Sequence, residues 1–270
     1  LSFGPGLVGR RRRGPAQRHQ AAQVLHLSVM EHVPQDRGRI AHRPRLGRLA
    51  GGFGPFPGAP FNPTMPLVKR LTALRRPAFD DIALTSHIFD VTYAAVDREL
   101  PELIATRRPQ ALLMFGLAGR TAHLRIESRA RNAVTTRFPD AGRQHARTGS
   151  IAGGADAMMF GPHSERLLRA ALATGIDARL SRDAGSYLCN YLSWRAIEAV
   201  NGSNDLRLAQ FIHVPPLAHD GTAATGRSSI TLEQLVDAGE AMLLELVKLT
   251  RQATRVSDAD RTARAYQAAL

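Results

Sequence analysis

Downstream of Gly51 the chain alternates short apolar runs with longer amphipathic stretches, a pattern that predicts an α/β domain with helices covering a sheet. Strands are expected over 82–89, 111–115, 124–130, 178–181 and 209–214, and helices over 64–73, 94–106, 163–174, 190–200 and 232–253. The last helix has a start signal of its own. Thr231 stands at its N-cap with Gln234 three residues on, and Leu235, Met242, Leu243 and Val247 form its apolar stripe. Gly116, Gly175 and Asn201-Gly202 stand where elements are expected to stop.

A formal charge of +13 directs attention to nucleic acid or an anionic surface, but its distribution matters more than its sum. Residues 1–48 hold ten Arg against only Glu31 and Asp36, so +8 comes from this stretch alone. Lys69 and Lys248 are the only lysines among 36 basic residues, which suits a GC-rich coding sequence better than a built binding face. The stretch has no helix or strand period and begins at Leu1 rather than Met. It reads as a disordered or non-native basic extension over 1–48, ahead of a domain over 49–255 and a polar tail over 256–270. Arg10 to Arg13 are followed by Gly14-Pro15-Ala16, not by the apolar region of an export signal, and no run of about eighteen apolar residues predicts a membrane span.

Cys189 is the only cysteine, which excludes an internal disulfide and any multi-cysteine metal site. It follows a predicted strand and a turn containing Gly185, at the start of a predicted helix. There the helix dipole and free N–H groups favour thiolate over thiol and can bind an oxyanion. The alternative is a small apolar residue packed beneath the helix. His213 ends the apolar strand that Pro215 terminates, a place for a proton carrier or for a structural imidazole bonded to a carbonyl. Alternation along 124–131 puts Glu127 on one face with Arg125, Arg129 and Arg131, where a surface salt bridge competes with a catalytic role.

The segment Ala184-Gly185-Ser186-Tyr187-Leu188-Cys189-Asn190 resembles the nucleophile motif of the pyroglutamyl-peptidase I family of cysteine peptidases. Phe211-Ile212-His213-Val214-Pro215 is similar to that family's histidine motif. Gly116 through Gly119-Arg120-Thr121 to Glu127 and Asn132 resembles its glutamate motif. The order and separations also match, with 62 positions from Glu127 to Cys189 and 24 from Cys189 to His213. Gly52-Phe53-Gly54-Pro55-Phe56 with Asn62-Pro63-Thr64 looks like the family's substrate loop, and Arg137-Phe138-Pro139-Asp140 like its active-site arginine segment.

The resemblance covers roughly residues 51–217. It implies a single α/β/α sandwich of the phosphorylase/hydrolase-like type, and removal of amino-terminal pyroglutamyl residues from peptides by a Cys189–His213–Glu127 triad through a thioester. It also implies a substrate pocket that includes Phe53, Phe56, Leu117, Arg137 and Phe138, no metal or organic cofactor, a cytoplasmic location and often a homotetramer. Three features depart from the family pattern. Arg45-Leu46-Gly47-Arg48-Leu49-Ala50 is too polar and glycine-rich for a central strand, Arg129 and Arg131 replace apolar residues and stand ready to engage Glu127, and Leu117 replaces a glutamine that bonds the pyrrolidone ring. Two other readings stay open: a thiol amidase for another small acyl or cyclic amide, favoured by Leu117, and a basic nucleic-acid-binding protein with an inactive core.

Overall fold

Strand β4 (Pro109–Leu117) is buried at every position from 111 to 117, which requires apolar cover on both faces of its sheet. A computed structural model of the chain describes residues 62–217 and 230–255 with their side chains, and 22–29, 46–51 and 256–268 as backbone elements. Around β4 lie β1 (Ala22–Val29), β2 (Leu46–Gly51), β3 (Ala83–His87), β5 (Leu124–Glu127), β8 (Ala178–Ser181) and β9 (Leu208–Val214), joined as one seven-stranded sheet. The sheet is mixed. The pairs β2–β3, β4–β9 and β5–β8 are parallel, whereas β1–β2, β1–β4 and β5–β9 are antiparallel.

The two-residue period of the strands sorts their side chains into two apolar layers. Ala111, Leu113 and Phe115 of β4, with Ile212 and Val214 of β9, face helices α1 (Thr64–Thr72), α3 (His163–Leu172) and α5 (Leu232–Ala268). Leu112 and Met114, with Ala209 and Phe211, face α2 (Tyr93–Arg107) and α4 (Leu188–Asn201). The result is an α/β fold of three layers, as expected. Helix α5 starts through the expected reciprocal cap: Thr231 N–H donates to Gln234 Oε1 at 2.9 Å and Gln234 N–H to Thr231 Oγ1 at 3.2 Å. Its Leu235, Met242, Leu243 and Val247 are buried.

Two expectations need correction, and two flanking segments carry secondary structure. The region 124–130 is not one strand: β5 stops at Glu127, and β6 (Arg129–Arg131) leaves the main sheet to pair with β7 (Ala157–Met159). Side-chain alternation continues through Ser128, but it does not say which strand the backbone pairs with. Gly116 does not end β4; it lies inside the strand. Within 1–48, Ala22–Val29 forms a strand, for its Val24, Leu25, Leu27 and Val29 supply β-forming residues inside an Arg- and Pro-rich context; Leu46–Gly51 also pairs, since ladder bonds need only backbone groups. The segment read as a polar tail continues α5 as far as Ala268.

Candidate active site

Glu127 and His213 meet because β5 runs antiparallel beside β9, with Arg125 opposite His213 and Ile126 opposite Ile212. His213 Nδ1 lies 2.8 Å from Glu127 Oε1, and both residues are fully buried. A carboxylate can only accept, so Nδ1 carries the proton and Nε2 is left as the basic nitrogen. That Nε2 is buried and has no hydrogen-bond partner among the described residues.

On the other side of His213, the parallel register of β4 and β9 places Gly116 opposite it. A Cβ on Gly116 would lie 3.0 Å from Cys189 Sγ and 2.8 Å from Phe211 Cζ. The thiol therefore packs against the bare backbone of β4 at the position that pairs with His213, and only glycine leaves room for it. Cys189 is the second residue of α4, which opens after Tyr187 without a side-chain cap; its first intrahelical bond runs from Tyr191 N–H to Tyr187 C=O at 3.0 Å. Amides 188–190 thus point out of the helix start beside the sulfur. Asn190 fastens this start in place: its side chain accepts from Arg131 N–H at 2.9 Å and donates to the carbonyls of Arg131 and Ala133, both at 2.8 Å.

Position at a helix start leads one to expect a lowered thiol pKa, and the structure reverses that direction. Complete burial pushes the Cys189 thiol well above its ordinary range, the Glu127 carboxylate pushes it further, and Arg125 pulls it only part of the way back. The resting site therefore holds a neutral thiol. A consequence for stability follows from the sign of the shift. A group whose folded pKa is raised stabilises the fold below its unfolded pKa and loses that contribution as pH rises towards the folded value. Cys189→Ala is therefore expected to soften the alkaline decline in melting temperature, and parallel decline in both proteins from neutral pH into the alkaline range would contradict it.

Arg129 and Arg131 do not engage the Glu127 carboxylate. Arg129 donates to the Arg182 carbonyl at 2.8 Å, and Arg131 pairs with Asp183 at 2.8 Å and with the Gly185 carbonyl at 3.0 Å. Both lie beyond the bend at Ser128, where the chain has left the sheet. Arg125 makes the contact instead, 2.9 Å from Glu127 Oε1. Sequence reasoning also missed Gln210, which is buried and donates to the Glu127 carbonyl at 2.5 Å while accepting from Ser164 Oγ at 2.7 Å. Its one visible signal was a lone amide in an apolar strand.

The expected pocket residues divide into three groups. Phe53 and Phe56 lie outside the described residues. Leu117 ends β4 next to Gly116; it is buried, yet among the described residues it is not one of the side chains that build either apolar layer. Arg137 is exposed with its guanidinium 5.8 Å above the half-buried Phe138 ring. Their segment is tied to the approach to Cys189, through Thr135 N–H to Ser186 C=O at 2.6 Å and Tyr187 Oη to Pro139 C=O at 3.0 Å.

A thiol at a helix start, a carboxylate-oriented imidazole and an α/β sandwich define a cysteine hydrolase. The model of the pyroglutamyl peptidase family matches residues 48–248, and the chain belongs to that family. It is 30% identical to the pyrrolidone-carboxylate peptidase of Thermococcus kodakarensis over 206 residues, spanning 76% of this chain and 98% of that protein. It is 31% identical to the enzyme of that name from Cupriavidus taiwanensis, over 70% of this chain and 87% of that one. The crystal structure of pyrrolidone carboxyl peptidase from Fervidobacterium islandicum superposes with a TM-score of 0.65 at 30% identity, covering 73% of this chain and 96% of that one. Pyroglutamyl peptidase I from Bacillus amyloliquefaciens gives 0.64 at 26% identity, covering 73% and 92%.

Proposed function

We propose that this protein hydrolyses the amide bond after an amino-terminal pyroglutamyl residue, with Cys189 as nucleophile, His213 as proton carrier and Glu127 as the group that orients it. The observation that carries this reading is the buried 2.8 Å contact of His213 Nδ1 with Glu127, which leaves Nε2 basic in the layer that holds the only cysteine of the chain. Because burial keeps the thiol protonated, its proton passes to Nε2 as sulfur bonds to the pyroglutamyl carbonyl carbon. The C–N bond then breaks, and the amine leaves with that proton. A water, deprotonated by the same Nε2, releases pyroglutamate from the thioester and restores the thiol. Backbone amides at the start of α4, assisted by Arg137, stabilise the oxyanion in both stages.

Phe53, Phe56 and Phe138 are assigned to the apolar faces of the small ring, and residues 49–255 to the catalytic unit, in keeping with the family match over 48–248. No helix among the described residues is long and apolar enough to cross a membrane. Cytoplasmic localisation and a homotetramer complete the reading. Hydrolysis of a fluorogenic pyroglutamyl amide, abolished by iodoacetamide, is the expected result. Turnover of other acyl amides alone would favour the thiol amidase, and salt-dependent nucleic-acid binding without turnover would favour the binding protein.

Leu117 is the observation that favours the amidase, since it offers the lactam ring no hydrogen bond. Leu117→Gln is expected to lower KM for pyroglutamyl substrates by up to roughly tenfold with little change in kcat, because one neutral hydrogen bond contributes about 0.5–1.5 kcal/mol and acts in ground and transition states alike. A raised KM together with a lowered melting temperature would instead mark Leu117 as a packing residue.

A further inference from the structure

The Glu127 carboxylate is fully buried, and only one of its oxygens is engaged: Oε1 takes both His213 Nδ1 at 2.8 Å and the Arg125 guanidinium at 2.9 Å, while Oε2 has no partner among the described residues. A fully buried carboxylate is costly unless a cation offsets its desolvation. Arg125 is that cation, and it is itself held. Its Nη2 donates to Ser181 Oγ at 2.7 Å and to the Asp183 carbonyl, and its Nε reaches the same hydroxyl at 3.2 Å. Ser181 ends β8, and Asp183 lies on the turn that leads to Cys189. One side chain therefore connects the orienting carboxylate to the approach to the nucleophile.

We propose that Arg125 is a positioning residue for the reaction, holding Glu127 in line with His213 and fastening that carboxylate to the turn before Cys189. This rests on the assignment of Cys189, Glu127 and His213 made above. The charged and titratable groups around the thiol act in known directions. Glu127 from β5 opposes the thiolate, Arg125 from the same strand favours it, Tyr187 ahead of α4 interacts with it, and His213 lies on β9 opposite the Gly116 backbone against which the thiol packs. Arg131, on the strand that follows, is already paired with Asp183 at 2.8 Å. Nothing else among the described groups therefore replaces Arg125.

Because the chain has one cysteine, iodoacetamide alkylation followed by mass spectrometry reads Cys189 alone and needs no substrate. Removing the cation that pairs with Glu127 leaves that carboxylate's charge unopposed against the thiolate, so Arg125→Met is expected to slow alkylation at neutral pH roughly tenfold. It should also displace the kcat/KM profile for pyroglutamyl amide to higher pH with KM little changed. Arg125→Lys, which keeps the charge, should recover most of the alkylation rate. A merely structural role predicts the opposite, since a loosened site exposes the buried thiol and speeds alkylation. Alkylation at the wild-type rate or faster in Arg125→Met, or no recovery in Arg125→Lys, overturns the proposal. Arg125→Gln, which retains an amide donor without charge, takes the place of the methionine variant should that one not fold. Failure of the wild-type protein to cleave pyroglutamyl amide would reject the proposed reaction while leaving the alkylation comparison intact.

Discussion

Cys189→Ser is expected to lower kcat/KM for a pyroglutamyl amide by on the order of 10⁴-fold or more, with the fold and cooperative melting retained at neutral pH. The two side chains differ little in size, and the site is built around a small buried group, so packing survives. Chemistry does not, because the mechanism needs a proton to leave a fully buried nucleophile with Nε2 of His213 as its acceptor, and an alcohol is far harder to ionise than a thiol. His213→Ala should lose a comparable amount. Glu127→Gln should be milder, somewhere from tens to about ten-thousandfold, since an amide can still accept at Nδ1 but cannot stabilise an imidazolium by charge. Folded Cys189→Ser turning over within tenfold of wild type would remove Cys189 from the reaction.

Gly116→Val should damage both fold and activity, and for one reason. The added Cβ alone meets Phe211 at 2.8 Å and the Cys189 sulfur at 3.0 Å, inside the closest contacts a side chain tolerates. Phe211 is fully buried and has nowhere to turn, so strand and helix must separate. Overpacking of this kind costs about 1–3 kcal/mol, and a misplacement of about 1 Å at the sulfur costs roughly a hundredfold in rate. Gly116→Ala should show the same two effects in smaller measure. Thermal melts read one, and kcat/KM the other. A valine variant that melts like wild type would show that α4 does not press on β4 at this point.

Why some of this was legible in the sequence and some was not comes down to range. Helices α1 to α4 begin and end within a residue or two of their expected limits because their signals are local, and the Thr231–Gln234 cap formed as read. Cys189, His213 and Glu127 were found through motifs, and the structure brings Glu127 to His213 across β5 and β9. Alternation puts Arg125, Arg129 and Arg131 alike on the face of Glu127, because it cannot reveal that the backbone beyond Ser128 pairs elsewhere and leaves Arg125 alone of the three at the carboxylate. The direction of the thiol shift failed for a related reason. A helix start is visible in sequence, but burial within the apolar layer that Phe211 also occupies is not, and burial dominates.

The contact between Glu127 and His213 spans 86 positions of the chain and closes only when β5 docks against β9, with Cys189 delivered from the segment between them. Closing so long a loop is entropically slow compared with forming any of the helices that flank it. A chain still emerging from the ribosome, or one trapped with its helices formed and β9 undocked, has a thiol but no oriented base. Under the proposed mechanism, turnover is expected to appear only once β5 and β9 have paired and Glu127 has reached His213. Recovered turnover during refolding would report on that last strand pairing, and should lag behind the recovery of helical signal.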